Sequence, residues 1–152
     1  MKRIFALFAA IVLLVSAFVS CAEKEYNVDK AALAAALVEA NCFSEQLVEV
    51  PMQMLKYSYQ VADDVTAVLY RGNNTTAEEL TVFEAPDAEA AKAVLDIANA
   101  YLDTLAKTYD QYNAKEAARI RDAIVVRYGK YVISCVCNDK AGAQKIIDEY
   151  FK

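Results

Sequence analysis

Two stretches in which β-branched and aromatic residues run through a turn, each followed by a helical pattern, constrain this chain more than any other feature. Val65 to Arg71 leads through Gly72, Asn73 and Asn74 to Leu80 to Ala85, and Ala123 to Tyr128 leads through Gly129 and Lys130 to Tyr131 to Cys137. Such runs, punctuated by turn residues, read as hairpins. Gly129 at the first central position of a two-residue loop suits a type II′ turn, whose twist matches that of the flanking strands. Thr76 and Glu79 have the spacing of a helix capping box, but the Leu80-Thr81-Val82-Phe83 that follows prefers strand, so the strand reading wins.

Helical patterns surround the hairpins. Asn27 or Asp29 can cap a first helix to about Ala40, with Leu33, Ala36, Leu37 and Ala40 on one stripe and Asn41 as its stop. Phe43 to Tyr59 is mixed and reads as a connector with a short helix around Met54, Leu55 and Tyr57. Pro86 ends the first hairpin and Asp87 caps a long helix, whose apolar face runs through Ala91, Val94, Leu95, Ala98, Tyr101, Leu102 and Leu105. Asn113 and Glu116 make a capping box before a short helical turn. Asn138 or Asp139 caps a last helix with Ala143, Ile146, Ile147 and Tyr150 on its apolar side.

This order predicts an α+β fold: a four-stranded antiparallel sheet built from two hairpin-helix units, with helices packed on the sheet and an N-terminal helix besides. Thr66 to Gly72 aligns without gaps on Ala123 to Gly129, which points either to an internal duplication or to convergent strand chemistry. Strand alternation makes both sheet faces apolar. Either the first helix covers the second face, or Val68, Tyr70, Phe83, Val132 and Val136 form an exposed docking surface.

The first twenty residues carry an address rather than a fold. Lys2 and Arg3 precede an apolar run from Ile4, and small residues lead to Cys21, the layout of a secretory signal. Val19-Ser20-Cys21 has the pattern of a bacterial lipobox, with Phe18 as its one departure, so Cys21 is the candidate lipidation site. Residues 1–20 are then the signal peptide, 21–27 a tether and 28–152 one domain. Its place is the extracytoplasmic face of the cell membrane. Two other readings remain open: ordinary cleavage after Ala22, which gives a secreted protein, and an uncleaved anchor, which is short for a hydrocarbon core of about 30 Å.

Thr76-Ala77-Glu78-Glu79-Leu80-Thr81-Val82-Phe83, the Gly129-Lys130-Tyr131-Val132 turn and the closing Ile146-Ile147-Asp148-Glu149-Tyr150-Phe151 together resemble an uncharacterised family of small lipoproteins from Gram-positive bacteria, domain of unknown function 4358. The resemblance implies lipid on Cys21. It implies no catalytic residue.

Composition narrows the chemistry. Histidine is absent, which removes Ser-His and Cys-His pairs and the commonest zinc sets. Glycine occurs only at 72, 129 and 142, so there is no phosphate loop. Without residues 1–20 the chain has 14 basic against 21 acidic residues, a net of −7, which argues against nucleic acid as a partner. The acid pairs Asp63-Asp64, Glu78-Glu79 and Asp148-Glu149 read as solvated surface turns. Cys42, Cys135 and Cys137 read as small buried hydrophobes, with a disulfide from Cys42 to Cys135 or Cys137 as the competing reading.

The functional expectation is a membrane-anchored, non-catalytic binding or adaptor module of the cell envelope, without a cofactor or metal, held by lipid on Cys21 and working beside an envelope protein. The alternatives are an envelope enzyme using Asp or Glu carboxylates, and a subunit of a membrane protein complex.

Overall fold

The computed structural model describes residues 24–73 and 75–152. The expected signal peptide and the candidate lipidation site Cys21 lie outside the described residues, as does Asn74 in the first hairpin loop. The elements are α1 (Lys30–Glu39), β1 (Val48–Val50), α2 (Met52–Tyr59), β2 (Thr66–Arg71), β3 (Glu79–Glu84), α3 (Ala88–Tyr109), α4 (Ala114–Arg121), β4 (Ile124–Tyr128), β5 (Tyr131–Val136) and α5 (Lys140–Tyr150).

Short polar side chains start four of these helices by taking up amides that would otherwise lack a partner. Asp29 accepts from Ala31 N and Ala32 N, Asp87 from Ala90 N, Asn113 from Glu116 N and Asp139 from Gly142 N. Helix α2 instead begins after Pro51, which needs no amide partner of its own. Asn41 after α1 and Gln60 after α2 turn the chain left-handed, with φ of 56° and 51°. Gly129 takes φ of 53° while Lys130 stays negative, the sign pattern of the type II′ turn that the dipeptide predicts.

The sheet has five strands rather than four, in the order β1-β2-β3-β5-β4, with every neighbouring pair antiparallel. The additional strand is β1, which sequence places in a connector. It is three residues long and pairs only with β2, so its Leu-Val-Glu-Val-Pro sequence carries too few alternating positions to announce a strand.

Helices cover both faces, giving three layers. On one face Leu80, Val82, Ile124, Ile133 and Cys135 pack with Leu33, Ala34 and Leu37 of α1 and with Ala143 and Ile147 of α5. On the other, Leu69, Phe83 and Val132 pack with Leu55 and Tyr59 of α2 and with Ala91, Val94 and Ala98 of α3. Val136 joins Leu102, Ala106 and Ile120 where α3 meets α4. The central strands β3 and β5 are therefore buried at nearly every position and lose the apolar-polar alternation that marks a sheet with one wet face.

Two expectations change. The docking set is not one surface: Val68 pairs with Val82 and Tyr70 with Leu80, so both face α1, whereas Phe83, Val132 and Val136 lie on the opposite face, fully buried by α3 and its neighbours. Alternation sorts residues within one strand only, and the pairing between β2 and β3 decides which faces join. The duplication also fails. The ungapped match equates Val68 with Val125, yet Val68 shares a face with Val82 and Ile133, while Val125 pairs with Ser134 on the other. Moreover, α3 and α5, the helices that follow the two hairpins, pack on opposite faces of the sheet. The likeness is shared strand chemistry.

Because α3 seals the second face, Phe83→Ala should open a cavity under it and cost about 3–5 kcal/mol in a urea titration. Tyr57→Ala, at a side chain 88% exposed on α2, should stay within about 0.5 kcal/mol of the native chain.

Candidate functional site

The strand pairing carries Arg71, Glu79 and Val136 to one end of the sheet, together with the 72–78 loop and the turn after α1. At this loop end three carboxylates leave water: Glu78, Glu79 and Glu116 are each less than 5% exposed. Burying a carboxylate is costly unless its oxygens find donors. Here each does.

Glu78 accepts from the backbone amides of Ser44, at 2.9 and 2.8 Å, and of Glu45, at 3.1 Å, and so holds the turn that follows α1. Glu116, in the first turn of α4, accepts from Ala77 N at 2.8 Å and from the Arg119 guanidinium at 2.9 Å. Arg119 also lies 3.6 Å from Glu78, so one cation serves two acids. Glu79 takes the Arg71 guanidinium through Nε at 2.6 Å, the Tyr101 hydroxyl at 3.2 Å and the hydroxyl of the buried Tyr59. Thr81 donates in turn to Tyr59.

Electrostatics follow the geometry. Burial, then the Glu79 charge, holds the Tyr59 and Tyr101 hydroxyls far above the ordinary tyrosine range. Burial alone would lower Arg71, but Glu79 outweighs it and leaves the guanidinium still more firmly protonated.

Glu45 braces the same loop from outside. Its carboxylate accepts from Asn73 N, Thr76 N and the hydroxyls of Thr75 and Thr76. Those bonds outweigh desolvation and hold its pKa below the ordinary 4.5. A methyl group at Gly72 would overlap the Glu45 carboxylate, so the brace needs glycine there.

Glu78 and Glu79 are saturated on both oxygens, and Glu116 takes both of its donors on Oε2. Arg71, Glu78, Glu79, Tyr101 and Tyr109 line a cavity of only about 150 Å³, below the roughly 300–1,000 Å³ usual for ligand pockets. Among the described residues no buried side-chain nitrogen or oxygen lacks a hydrogen-bond partner, and no group of three or more Cys, Asp or Glu is placed to hold a metal ion. A wider cavity, about 630 Å³, lies at the opposite end of the sheet, where Lys24, Tyr26, Asp87, Gly129 and Lys130 meet. There Tyr26 packs edge-on against Tyr128 and Phe151, so the expected tether joins the domain before residue 28.

Asp63, Asp64, Asp148 and Glu149 are exposed, as surface acids should be. Glu78 and Glu79 are not surface acids, and this pair corrects the sequence reading. Their partners Ser44, Tyr59, Arg71, Tyr101 and Arg119 are scattered along the chain, so no local pattern reveals them. The local hint is that both acids run directly into Leu80-Thr81-Val82-Phe83, a strand run buried at every position. Cys42, Cys135 and Cys137 meet in one cluster as free thiols.

Residues 42–137 match the model of a family described as "Domain of unknown function (DUF4358)". None of the curated proteins and none of the solved structures compared with the chain matches it.

Arg119→Ala strips the counter-charge from Glu78 and Glu116 together and is expected to cost about 3–5 kcal/mol in urea unfolding. The Glu45 carboxyl, lowered in the folded state, contributes stability that is complete above 4.5 and lost as pH falls through its folded value. The urea midpoint of the native chain should therefore drop more between about pH 5 and about pH 3 than that of Glu45→Gln.

Proposed function

The chain belongs to the DUF4358 family, and we propose that it is a membrane-anchored extracytoplasmic lipoprotein, a non-catalytic binding or adaptor module of the cell envelope. The observation that carries the non-catalytic part is the saturation of Glu78 and Glu79, each of which accepts hydrogen bonds on both carboxylate oxygens. A general acid or base must reach a substrate proton directly or through one water. These two carboxylates spend their oxygens on backbone amides, an arginine and tyrosines of the same fold.

Anchoring is supported by Val19-Ser20-Cys21 and by where the chain enters the domain. Cys21 precedes Lys24 by three residues, a reach of about 10 Å. Val28 N donates to the Tyr131 hydroxyl, and Tyr26 lies against Phe151. Lipid on Cys21 thus holds the Gly129-Lys130 end near the bilayer and turns the carboxylate-braced loops outward. Several acyl chains on one residue give a firm hold where a single chain would not.

The test is the N-terminus of the native protein. Mass spectrometry of membrane-extracted protein should find a chain that begins at an acylated Cys21, and Cys21→Ala should abolish acylation and release the product from the membrane fraction. A native chain that begins at Glu23 without fatty acid contradicts the proposal.

A further inference from the structure

Three thiols converge where the turn after α1 meets the start of α5. The Cys42 carbonyl accepts from both Asn138 N and Asp139 N at 2.9 Å, so one hydrogen bond separates the backbone of Cys42 from the residue after Cys137. Cys42 also sits against the first turn of α5, since a methyl group on Gly142 would lie 3.4 Å from its sulfur. Cys42 and Cys135 are buried members of the same apolar cluster, and Cys137, just past the end of β5, packs on it half-buried. All three are free.

We propose that Cys42 and Cys137 form a reversible disulfide, a redox latch that ties the turn after α1 to the start of α5 and takes small-molecule disulfides as its oxidant.

The roles follow from access. Cys137 alone meets solvent, so it is the sulfur an oxidant reaches first. The hydrogen bond with Cys135 lowers the Cys137 thiol below its ordinary value, and a thiolate is the attacking form. Burial, and then the Asp139 charge, raises Cys42, which suits a resolving thiol kept protonated until the oxidant has docked. Cys135 is a poor resolving partner. Two positions along a strand set its Cα about 6.8 Å from that of Cys137, the outer limit for a disulfide.

The chemistry balances in two exchanges. The Cys137 thiolate attacks one sulfur of the oxidant, forming a mixed disulfide and expelling a thiolate. Cys42, giving up its proton, then attacks the Cys137 sulfur, breaks the mixed disulfide and expels the second thiolate. The two protein thiols are oxidised by two electrons, the oxidant is reduced to two thiols, and the protons lost by Cys42 and Cys137 end on them.

The experiment treats the full chain, first reduced, with oxidised glutathione under native conditions, and then blocks remaining thiols and maps peptides without reduction. The expected product is a peptide pair joined through Cys42 and Cys137 and lighter by about 2 Da, with a raised urea midpoint that dithiothreitol reverses. Cys42→Ala should stop at a glutathione adduct on Cys137, and Cys137→Ala should yield neither adduct nor link. No link, a link through Cys135, or a link formed only after unfolding would overturn the proposal. Should either variant fail to fold, the native chain's peptide map decides alone. None of these readouts depends on lipid at Cys21, so the latch and the anchor stand or fall separately.

Discussion

The carboxylate of Glu78, wholly removed from water and bonded to the amides of Ser44 and Glu45, is the interaction on which the loop end of this protein depends. Those amides belong to neither helix nor strand, and Glu78 supplies the acceptor that a helix or strand would otherwise give them. A charge placed there is tolerable only because Arg119 stands beside it, and Arg119 is in turn fixed by Glu116, which reaches back to the amide of Ala77. One chain of contacts therefore links the turn after α1, the 72–78 loop and α4. Beneath it, Glu79, Arg71, Tyr59 and Tyr101 join β2 and β3 to α2 and α3. Most of the rest of the core is apolar, non-directional packing, whereas this network specifies register and loop path.

Such a network bears on function through what it withholds. Acids that serve catalysis keep an oxygen free for substrate and a pKa poised near working pH. Here the donors are structural and the enclosed space is small, so the glutamates act as pins for the loops. With the chain entering the domain at the opposite end, the pinned loops are the surface turned away from a membrane under the proposed anchoring.

Much of this architecture is legible in the residues. Turn and cap chemistry is local, so Asp29, Asp87, Asn113, Asp139 and the Gly129-Lys130 turn announce helix starts and the tight hairpin from sequence alone. What local pattern cannot carry is partnership across the chain. Strand β1 exists only because β2 offers it an edge, and the sorting of Val68 and Phe83 to opposite faces depends on register between strands. Glu78 and Glu79 look like solvated acids for the same reason, since the arginines that make their burial tolerable come from β2 and α4. The Thr76-Ala77-Glu78-Glu79 segment that carries the family resemblance is also the hub of the network, although nothing in its own spacing says so.

The most direct measure of these carboxylates as structural pins is native-state hydrogen exchange at the amides of Ser44, Glu45 and Ala77. These lie outside every helix and strand, yet protection approaching that of the β3 and β5 core is expected, because each donates to a buried carboxylate. Exchange at the fast rate of an open loop would contradict it, and would free the glutamates for another role.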